Sequence, residues 1–298
     1  MGCENLSFDG SGDSGDDLCA DARSSYVFNS AIAGIDQADA ILLIGSNPRA
    51  EAPVLNARVR KATYEGVPVG LIGERVDLTF PVEHLGEDAG AIADLAKGKS
   101  GAAFFQTLKG AERPMVIVGP GVLRRKDRDL VMKSIHDLVE AAGVVAGDWN
   151  GYNVLHESAA RVGAMDVGFV PSAPNGPEKD FAPEAKFVYL LNSDDFKAED
   201  IPEGAFVVYQ GHHGDLGANR ADVVLPGAAF TEKPGTYVNS EGRAQQTRRA
   251  VPPVGEARDD WKVVRALSEV LGKKLPYDTI QGVRARMADV APHLGQVG

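Results

Sequence analysis

Cysteine is almost absent from this chain of 298 residues, which contains only Cys3 and Cys19, both close to its start. Two thiolates cannot hold an iron–sulfur cluster by themselves, because such clusters usually take four. So few cysteines also exclude a disulfide framework, and a reducing compartment is the default expectation. The sequence therefore predicts neither a cluster held by this chain alone nor a small disulfide-stapled secreted fold.

Long apolar runs and an excess of positive charge are missing as well. The longest apolar runs, such as AILLIG and KFVYLL, are far shorter than the roughly 20 residues that a membrane-spanning helix needs. The chain carries 31 basic and 42 acidic side chains, and an acidic surface repels the phosphate backbone of nucleic acids. We therefore expect no nucleic-acid partner, and a membrane association only through partner proteins.

A polar and acidic segment, SFDGSGDSGDD, lies near the start and lacks the apolar stretch of a secretory signal. We expect residues 1–30 to form a polar leader. The tetrapeptide GDSG (12–15) inside it resembles the nucleophile loop of serine proteases. A catalytic triad also needs a histidine and an aspartate placed around the serine on a folded scaffold. We therefore interpret GDSG as part of the leader.

From residue 39 onward, apolar runs that end in glycine alternate with amphipathic segments. DAILLIG (39–45) and VPVGLIG (67–73) show no polar alternation, which is typical of strands covered on both faces of a parallel sheet. The segment between them, 52–66, places its apolar residues on one helical face. The alternation predicts an α/β fold of mostly parallel sheets with helical crossovers.

The alternation continues along the chain in two blocks. Further strands are predicted at 114–121, 144–150, 186–192, 205–211 and 221–227. Further helices are predicted at 91–98, 102–110, 128–143, 153–164 and 259–274. The proline-rich segment 169–185 has no apolar period and predicts a surface connection. It separates a first α/β block at 31–168 from a second block at 186–298.

Three short motifs resemble known sites but lack part of the required pattern. ADLAKGKS (93–100) has alanine where a P-loop needs glycine, and it lies at a predicted helix end. VIVGPGVLR (116–124) lacks the third glycine of a dinucleotide-binding fingerprint, so we interpret it as a plain turn from strand to helix. GHHGD (211–215) offers two histidines whose side chains we expect to diverge, with too few further ligands close by for zinc. Its place at a strand end keeps ligand binding open there.

The loop GSNPRAEAP (45–53) follows the first predicted strand. Gly45 allows another backbone to approach closely. Asn47 can satisfy free amides at a turn, and Pro48 stiffens the residues that follow. Such a loop suits a phosphate-bearing cofactor at the end of a strand, and it equally suits a rigid surface corner. The spacing leaves both interpretations open.

The segment EKPGTYVNSEGRAQ (232–245) places turn-forming glycines directly after an apolar run. Gly235 and Gly242 predict positive backbone angles at two turns. The alternating residues TYVNS between them predict a short extended ribbon.

Charged residues in the same segment predict internal pairing. We expect Glu232 and Glu241 to pair with Lys233, with Arg243 or with nearby backbone amides, and Arg243 to suit a carboxylate in two-point geometry. None of these residues meets the requirements of an activated nucleophile or a metal ligand. We therefore interpret the segment as a rigid closure over the edge of a sheet.

Two long stretches, 32–61 and 209–247, closely resemble the large iron–sulfur subunit of respiratory complex I, the NADH:quinone oxidoreductase. The resemblance continues through 259–279 and covers nearly the whole chain more loosely. It implies that the chain corresponds to the C-terminal, molybdopterin-oxidoreductase-like part of that subunit. Two loops resemble those that contact the pterin in true molybdenum enzymes, at Gly45, Asn47, Pro48, Glu232, Lys233, Gly235, Thr236, Asn239, Glu241, Gly242, Arg243 and Gln245.

The resemblance also implies what the chain does not do. In the complex I relatives this region is taken to be structural and to hold no molybdenum cofactor. The clusters that carry electrons from NADH lie in an N-terminal, cysteine-rich part that is absent here, which implies a fragment or a split-gene product. We therefore expect no catalytic, cofactor-binding or metal-binding residue in this chain, and vestigial pterin-type loops.

The expected partners are other subunits of the peripheral arm of complex I. The expected location is the periphery of the inner membrane, on the cytoplasmic side in a bacterium or the matrix side in a mitochondrion. One alternative is a molybdopterin-type oxidoreductase domain that does hold its cofactor at the strand ends. Another is an independent soluble fragment with a different partner.

Overall fold

A computed structural model of the protein divides the chain into two compact units. The structure describes residues 5–8, 22–159, 161–170, 181–182 and 184–297. We call the described residues 22–159, 161–162 and 240–242 the five-stranded unit. We call the described residues 5–8, 163–170, 181–182, 184–239 and 243–297 the three-stranded unit.

Several features predicted from the sequence lie outside the described residues. They include the GDSG motif, both cysteines, most of the leader predicted at 1–30 and most of the connection predicted at 169–185. The domain boundaries proposed from the sequence stay predictions.

The five-stranded unit is built on a parallel sheet. Its strands are β1 (Ala40–Ile44), β2 (Val69–Ile72), β3 (Glu83–Gly86), β4 (Pro114–Val118), β5 (Val145–Ala146), β6 (Trp149–Asn150) and β7 (Tyr152–Val154). The parallel sheet has the order β3-β2-β1-β4-β7, and β5 pairs with β6 in an antiparallel hairpin. The strands β1, β2 and β4 are buried along their whole length, as their unbroken apolar runs predict.

Several helices of the five-stranded unit begin at a proline or are bounded by a glycine. They are α1 (Pro48–Glu51), α2 (Pro53–Tyr64), α3 (Gly90–Ala96), α4 (Ala102–Gly110), α5 (Pro120–Leu123) and α6 (Arg128–Ala142), with short 3₁₀ helices at Arg23–Ser25 and Ile32–Gln37. Pro53 opens α2, where a missing N–H costs nothing. Gly143 follows α6 with a φ of +68°, the left-handed conformation that commonly ends a helix.

The core of this unit forms where α2 packs against the sheet. Ile41 and Leu43 of β1 are fully buried beside Leu55 and Val59 of α2, which lie one helical turn apart on the same face. Burial of each such side chain contributes about 1.5–3 kcal/mol. This packing fixes the position of the loop between β1 and α2, which carries the GSNP residues.

Two sequence predictions in this unit need correction. The helix predicted at 153–164 is wrong: Asn153 and Val154 are fully buried in β7, which pairs with β4, and helix α7 begins at Arg161. Pairing with β4 outweighs the local helical pattern, since propensity is a weak preference beside tertiary contacts. The single strand predicted at 144–150 is the β5–β6 hairpin, which turns at Gly147.

The three-stranded unit contains a second parallel sheet. Its strands are β8 (Phe187–Leu191), β9 (Phe206–Gly211), β10 (Val223–Pro226), β11 (Thr236–Val238) and β12 (Ala244–Gln246). The parallel sheet has the order β10-β9-β8, and β11 and β12 form an antiparallel ribbon. The remaining helices are α7 (Arg161–Asp166), α8 (Leu216–Arg220), α9 (Asp260–Val270) and α10 (Ile280–Val290), with 3₁₀ helices at Ala198–Asp200 and Pro292–Gly295.

These elements confirm the predicted α/β fold with parallel sheets, and the ribbon predicted at TYVNS is also confirmed. The helix predicted at 259–274 is shorter than expected. It ends at Val270, because Gly272 takes a left-handed φ of +70°. Within the described part of the chain, none of the helices has the length and apolar character that crossing a bilayer requires.

Candidate functional site

A cleft of about 310 Å³ opens at the carboxyl ends of β1 and β2 in the five-stranded unit. Its lining includes the first residues of the GSNP loop, Gly45, Ser46 and Asn47, together with Gly73 after β2 and Gly121 after β4. In open α/β sheets, ligands bind outside the carboxyl ends of the strands. The cleft is therefore the first candidate for a binding site.

Gly45 lies where two loops touch. It has a φ of +57°, and a Cβ added to it would lie 2.7 Å from Cγ2 and 2.9 Å from N of Val122. Side chains do not fit at such distances, so this position requires glycine. The predicted close approach of another backbone to Gly45 is confirmed.

The glycine amides around the cleft are already bonded within the unit. The amides of Gly45 and Gly73 donate to the carbonyl oxygens of Ile72 at 2.8 Å and Gly86 at 2.9 Å. Those of Gly119 and Gly121 donate to the carbonyl oxygens of Ile44 and Gly45, both at 2.8 Å. Phosphate sites in such folds use backbone N–H groups that point at the ligand. These four amides point at protein carbonyls instead.

Asn47 does not play the predicted role. Its backbone carbonyl accepts hydrogen bonds from the amides of Ala50 and Glu51, both at 3.0 Å. Its side chain caps no amide of α1, and its Oδ1 is buried without a hydrogen-bond partner among the described residues. The prediction that the Asn47 side chain satisfies free amides is therefore wrong. The backbone carbonyl of Asn47 accepts the amides of Ala50 and Glu51 in its place. Pro48 is buried and opens α1, as a stiff turn residue should.

The charges that line the cleft are mostly negative. Four carboxylates lie in the lining, those of Glu51, Glu74, Glu87 and Asp88. Among the described lining residues the one cation is Arg125, whose Nε and Nη2 bind the two carboxylate oxygens of Asp127 at 2.7 and 2.8 Å. These hydrogen bonds lower the pKa of Asp127. The charge of Arg125 is thus already paired, and that of Glu87 is paired with Arg75, whose Nε lies 3.8 Å from its Oε1. The carboxylates of the lining still outnumber its cation, so the cleft presents a net negative surface.

The turn-rich segment contributes a second set of polar contacts, in the three-stranded unit. The ammonium group of Lys233 pairs with the carboxylate of Asp260 at the start of α9. The same carboxylate accepts a hydrogen bond from Nε2 of Gln210 at 2.8 Å, and Oε1 of Gln210 accepts the hydroxyl proton of Tyr189. We call these four residues the Lys233 network. It joins the segment to β8, β9 and α9.

The Lys233 network is largely shielded from solvent. Gln210 is fully buried, and the side chains of Lys233 and Asp260 are 18% and 23% exposed. Burial, and then the negative charge of Asp260, raise the pKa of Tyr189 above its usual value. Of the partners predicted for Glu232 and Glu241, the structure shows backbone amides, and the ammonium group of Lys233 pairs with Asp260. Loss of one partner from a shielded ion pair is destabilising, because it leaves the other charge without compensation.

Other residues of the segment bond to nearby backbone. Oε2 of Glu232 accepts the amide of Ala229 at 3.0 Å, which confirms a predicted pairing with backbone. Oδ1 of Asn239 accepts the amide of Arg243 at 2.8 Å, which closes the turn between β11 and β12.

Gly235 departs from its prediction, because it does not have a positive φ. A Cβ there would lie 2.8 Å from the ring of Tyr237, so close packing explains the glycine instead. Its amide donates to Oγ1 of Thr247 at 2.9 Å.

Residues 240–242 of the same segment belong to the five-stranded unit. Oε2 of Glu241 accepts the amide of Ile32 at 2.9 Å, again a predicted bond to backbone. The carbonyl oxygen of Gly242 accepts Nη2 of Arg23 at 2.7 Å, and Gly242 has the predicted positive φ, at +80°. These contacts hold residues 241 and 242 in place, and the Glu241 carboxylate is hydrogen-bonded to the backbone of Ile32.

The two histidines of GHHGD do not diverge as predicted. Their ring centroids lie 4.4 Å apart, because both residues follow the end of β9, where strand alternation no longer applies. Nδ1 of His212 lies 3.0 Å from Oδ1 of Asn192. Across the described ranges, His, Cys, Asp and Glu form no cluster of three or more that could hold a metal ion.

Sequence reasoning missed the partners of Lys233. Asp260 carries no sequence signal beyond its position at the start of the helix predicted at 259–274. Gln210 carried a usable signal, because it is polar within the apolar strand run FVVYQG and therefore needs a buried partner. The predicted site residues fall in both units: Gly45, Asn47, Pro48 and Glu241 in the five-stranded unit, and Glu232, Lys233, Gly235, Asn239 and Arg243 in the three-stranded unit.

The five-stranded unit has the order β3-β2-β1-β4-β7, which reverses between β1 and β4, and its cleft includes residues that follow both strands. This arrangement defines a doubly wound α/β protein. The sequence pattern of the molybdopterin oxidoreductase family matches residues 3–270. The chain belongs to this family.

Curated relatives include subunits of NADH-ubiquinone oxidoreductase. The 78 kDa subunit of Candida albicans is 49% identical over 276 residues, which cover 92% of this chain and 37% of the relative. The 78 kDa subunit of Neurospora crassa is 49% identical over 299 residues, covering 99% and 39%. Iron-sulfur protein 1 of NADH dehydrogenase [ubiquinone] from Solanum tuberosum is 47% identical over 298 residues, covering 100% and 39%. The chain thus spans about two fifths of their length, and the predicted resemblance is confirmed.

A solved structure shares the fold. It is a chain of the formyltransferase/hydrolase complex FhcABCD from Methylorubrum extorquens, with a TM-score of 0.57. The two sequences are 16% identical, and the match covers 83% of this chain and 79% of that one. The likeness supports the α/β architecture and nothing about chemistry.

The family name implies a molybdopterin, a phosphate-bearing and therefore anionic group. The cleft does not fit such a group. Its carboxylates repel anions, Arg125 is already paired with Asp127, and the glycine amides at the strand ends are bonded to carbonyl oxygens. No reaction step is therefore assigned to a pterin in this chain.

Proposed function

We propose that this chain is a structural part of the peripheral arm of a respiratory NADH:quinone oxidoreductase, with no catalytic residue and no redox group of its own. The observation that carries this proposal is the 47–49% identity to subunits of that enzyme across nearly the whole chain. Its partners are the other peripheral-arm subunits, through which it meets the membrane. That places it on the cytoplasmic side in a bacterium or the matrix side in a mitochondrion.

The chemistry of the two conspicuous loops supports a structural role. The cleft beside Gly45 repels the anionic group that the family name implies. The charges of Glu232, Lys233 and Glu241 bond to Ala229, Asp260 and Ile32 of the protein itself. The iron–sulfur clusters of such an enzyme belong to the part of the longer relatives that this chain does not match. The loops are then vestigial pterin-type loops that hold the units in shape.

Affinity purification from cells tests the proposal. The chain, tagged at its own locus, is expected to purify with other peripheral-arm subunits and with NADH-dependent quinone reduction. Its deletion is expected to abolish assembly of that arm. The variant Glu74→Gln serves as a matched control, since Glu74 lies in the cleft and is expected to leave assembly and turnover unchanged. Purification of the tagged chain without any such subunit would contradict the proposal.

A further inference from the structure

The sheet of β8, β9 and β10 has two different faces. Side chains alternate along a strand, and parallel neighbours in register point to the same side. One face carries Val188, Leu190, Val207 and Tyr209, all buried in a common cluster. The other face, which we call the open face, carries Phe187, Tyr189, Leu191, Phe206, Val208, Gln210, Val223 and Leu225.

Both connections between these strands cover the same side. The connection from β8 to β9 supplies Phe196 and Ile201 to the buried cluster, and the connection from β9 to β10 supplies Ala218 and Ala221. This placement follows from the sheet order, because successive right-handed crossovers in one direction lie on one side of a sheet. Neither connection is therefore available to cover the open face.

The open face is covered at one end and bare at the other. Near the carboxyl ends of the strands, Gln210 is fully buried and bonds to Asp260 of α9. At the amino ends, Phe187 is 55% exposed, Phe206 48% and Val223 39%. The rings of Phe187 and Phe206 stack with centroids 6.4 Å apart and planes inclined by 17°. We call Phe187, Phe206 and Val223 the bare patch.

A bare apolar face is unusual for a parallel sheet. Parallel sheets occur almost only with both faces covered, since their connections normally lay helices on them. Contiguous exposed apolar and aromatic side chains mark interaction surfaces. Phe187 and Phe206 are adjacent because they pair in register, whereas Val223 on β10 pairs with the buried Val208 of β9.

Resting on the proposed function, we propose that the bare patch docks an amphipathic helix from the part of the longer subunit that this chain does not match. The relatives supply ample chain for such a layer, because the match covers 39% of the Neurospora crassa subunit. A helix suits the patch, since an apolar helical stripe is the usual cover of a parallel sheet. A second copy of this chain would place sheet on sheet, which is the packing of antiparallel sandwiches.

Binding in trans tests this inference. The unmatched part of the Neurospora crassa subunit is produced separately, and its binding to the purified chain is measured by calorimetry. The native chain is expected to bind, and the double variant Phe187→Ser/Phe206→Ser to bind about tenfold or more weakly, as loss of aromatic anchors does. The control Val254→Ser, at a residue 76% exposed elsewhere in the same unit, is expected to bind like the native chain. Thermal unfolding of both variants checks that the exposed substitutions leave the fold intact.

Three results would overturn the inference: no binding by the native chain, unchanged binding by the double variant, or equal weakening by the control. Self-association of the native chain that the double substitution abolishes would also overturn it, by making a second copy the occupant. The proposed function fails separately, when the tagged native chain purifies without sibling subunits. If the native chain purifies with sibling subunits and the double variant still binds the unmatched part of the subunit, the proposed function is retained and only the docking site is refuted.

Discussion

The charged residues Glu232, Lys233 and Glu241 of the turn-rich segment bond to other parts of the protein. Lys233 neutralises Asp260, Glu232 accepts the amide of Ala229, and Glu241 accepts the amide of Ile32. A group that served a ligand would need a free donor or acceptor aimed at that ligand, and these groups are committed. At this scale the expected effects of substitution are losses of stability.

Replacement of Lys233 by methionine is expected to lower the free energy of unfolding of the three-stranded unit by about 1–3 kcal/mol, because it leaves the shielded Asp260 carboxylate without its cation. Arg258→Met is the control, since the side chain of Arg258 is 53% exposed and lies 3.0 Å from the 85% exposed side chain of Glu256. An exposed pair of that kind contributes at most about 1 kcal/mol. Urea unfolding followed by Trp261 fluorescence in a Trp149→Phe background reports on this unit. Equal losses in the two variants would refute the role of the Lys233 network.

Tyr209 predicts how stability depends on pH in the alkaline range. Burial, and then its hydrogen bond to Asp194, raise the pKa of Tyr209 to about 12. The unfolded chain releases this proton near pH 10, whereas the folded chain keeps it to about pH 12. The folded state thus binds more protons in this range, and its stability falls as pH rises, by roughly 2–3 kcal/mol in total.

The variant Tyr209→Phe is expected to lack this part of the alkaline loss. Its free energy of unfolding, measured by urea titration from pH 9 to pH 12, should fall less steeply than that of the native chain. Tyr64→Phe is the control, because Tyr64 is 69% exposed and should leave the native profile unchanged. Parallel profiles for Tyr209→Phe and the native chain would contradict the assignment.

Among the elements, the strands with unbroken apolar runs and the amphipathic helices were the most predictable, and the contacts between distant segments were the least. Unbroken apolar runs located β1, β2 and β4, and alternation located the β11–β12 ribbon. The helix expected at 153–164 failed because pairing of β7 with β4 depends on residues far apart in sequence. The partner of Lys233 escaped prediction for the same reason, since Asp260 lies 27 positions away along the chain.

The loop between β1 and α2 gives a prediction at the scale of elements. Gly45→Ala is expected to lower the free energy of unfolding of the five-stranded unit by about 3 kcal/mol, since it combines a strained positive φ with a clash against Val122. Gly66→Ala is the matched control: its φ is also positive, at +93°, but nothing lies within 4 Å of an added Cβ. Backbone strain alone then costs about 1 kcal/mol.

Trp149 fluorescence in a Trp261→Phe background follows this unit during urea unfolding. Similar losses in the free energy of unfolding for Gly45→Ala and Gly66→Ala would contradict this prediction. They would show that the loops after β1 and β4 can move apart at little cost, so that the close approach of Gly45 to Val122 does not stabilise the unit.

For the molecule as a whole, the sequence identified the family and the α/β fold. The structure shows one parallel sheet in each of two units. The positions of the pterin-type loops were visible in GSNP and in EKPGTYVNSEGRAQ. Their surroundings were not, because the carboxylates of Glu51, Glu74 and Glu87 meet only when separate loops close on one cleft. That negative lining is unfavourable for an anionic cofactor and supports the structural role that we propose.

Cofactor analysis of the purified chain is the most direct test of this structural role. The chain is produced in a host that synthesises molybdopterin cofactors, and its molybdenum, tungsten, iron and pterin contents are measured against protein concentration. All four are expected to lie far below one per chain. Stoichiometric pterin with molybdenum or tungsten, or iron at the level of a cluster, would contradict the claim that this chain carries no redox group of its own.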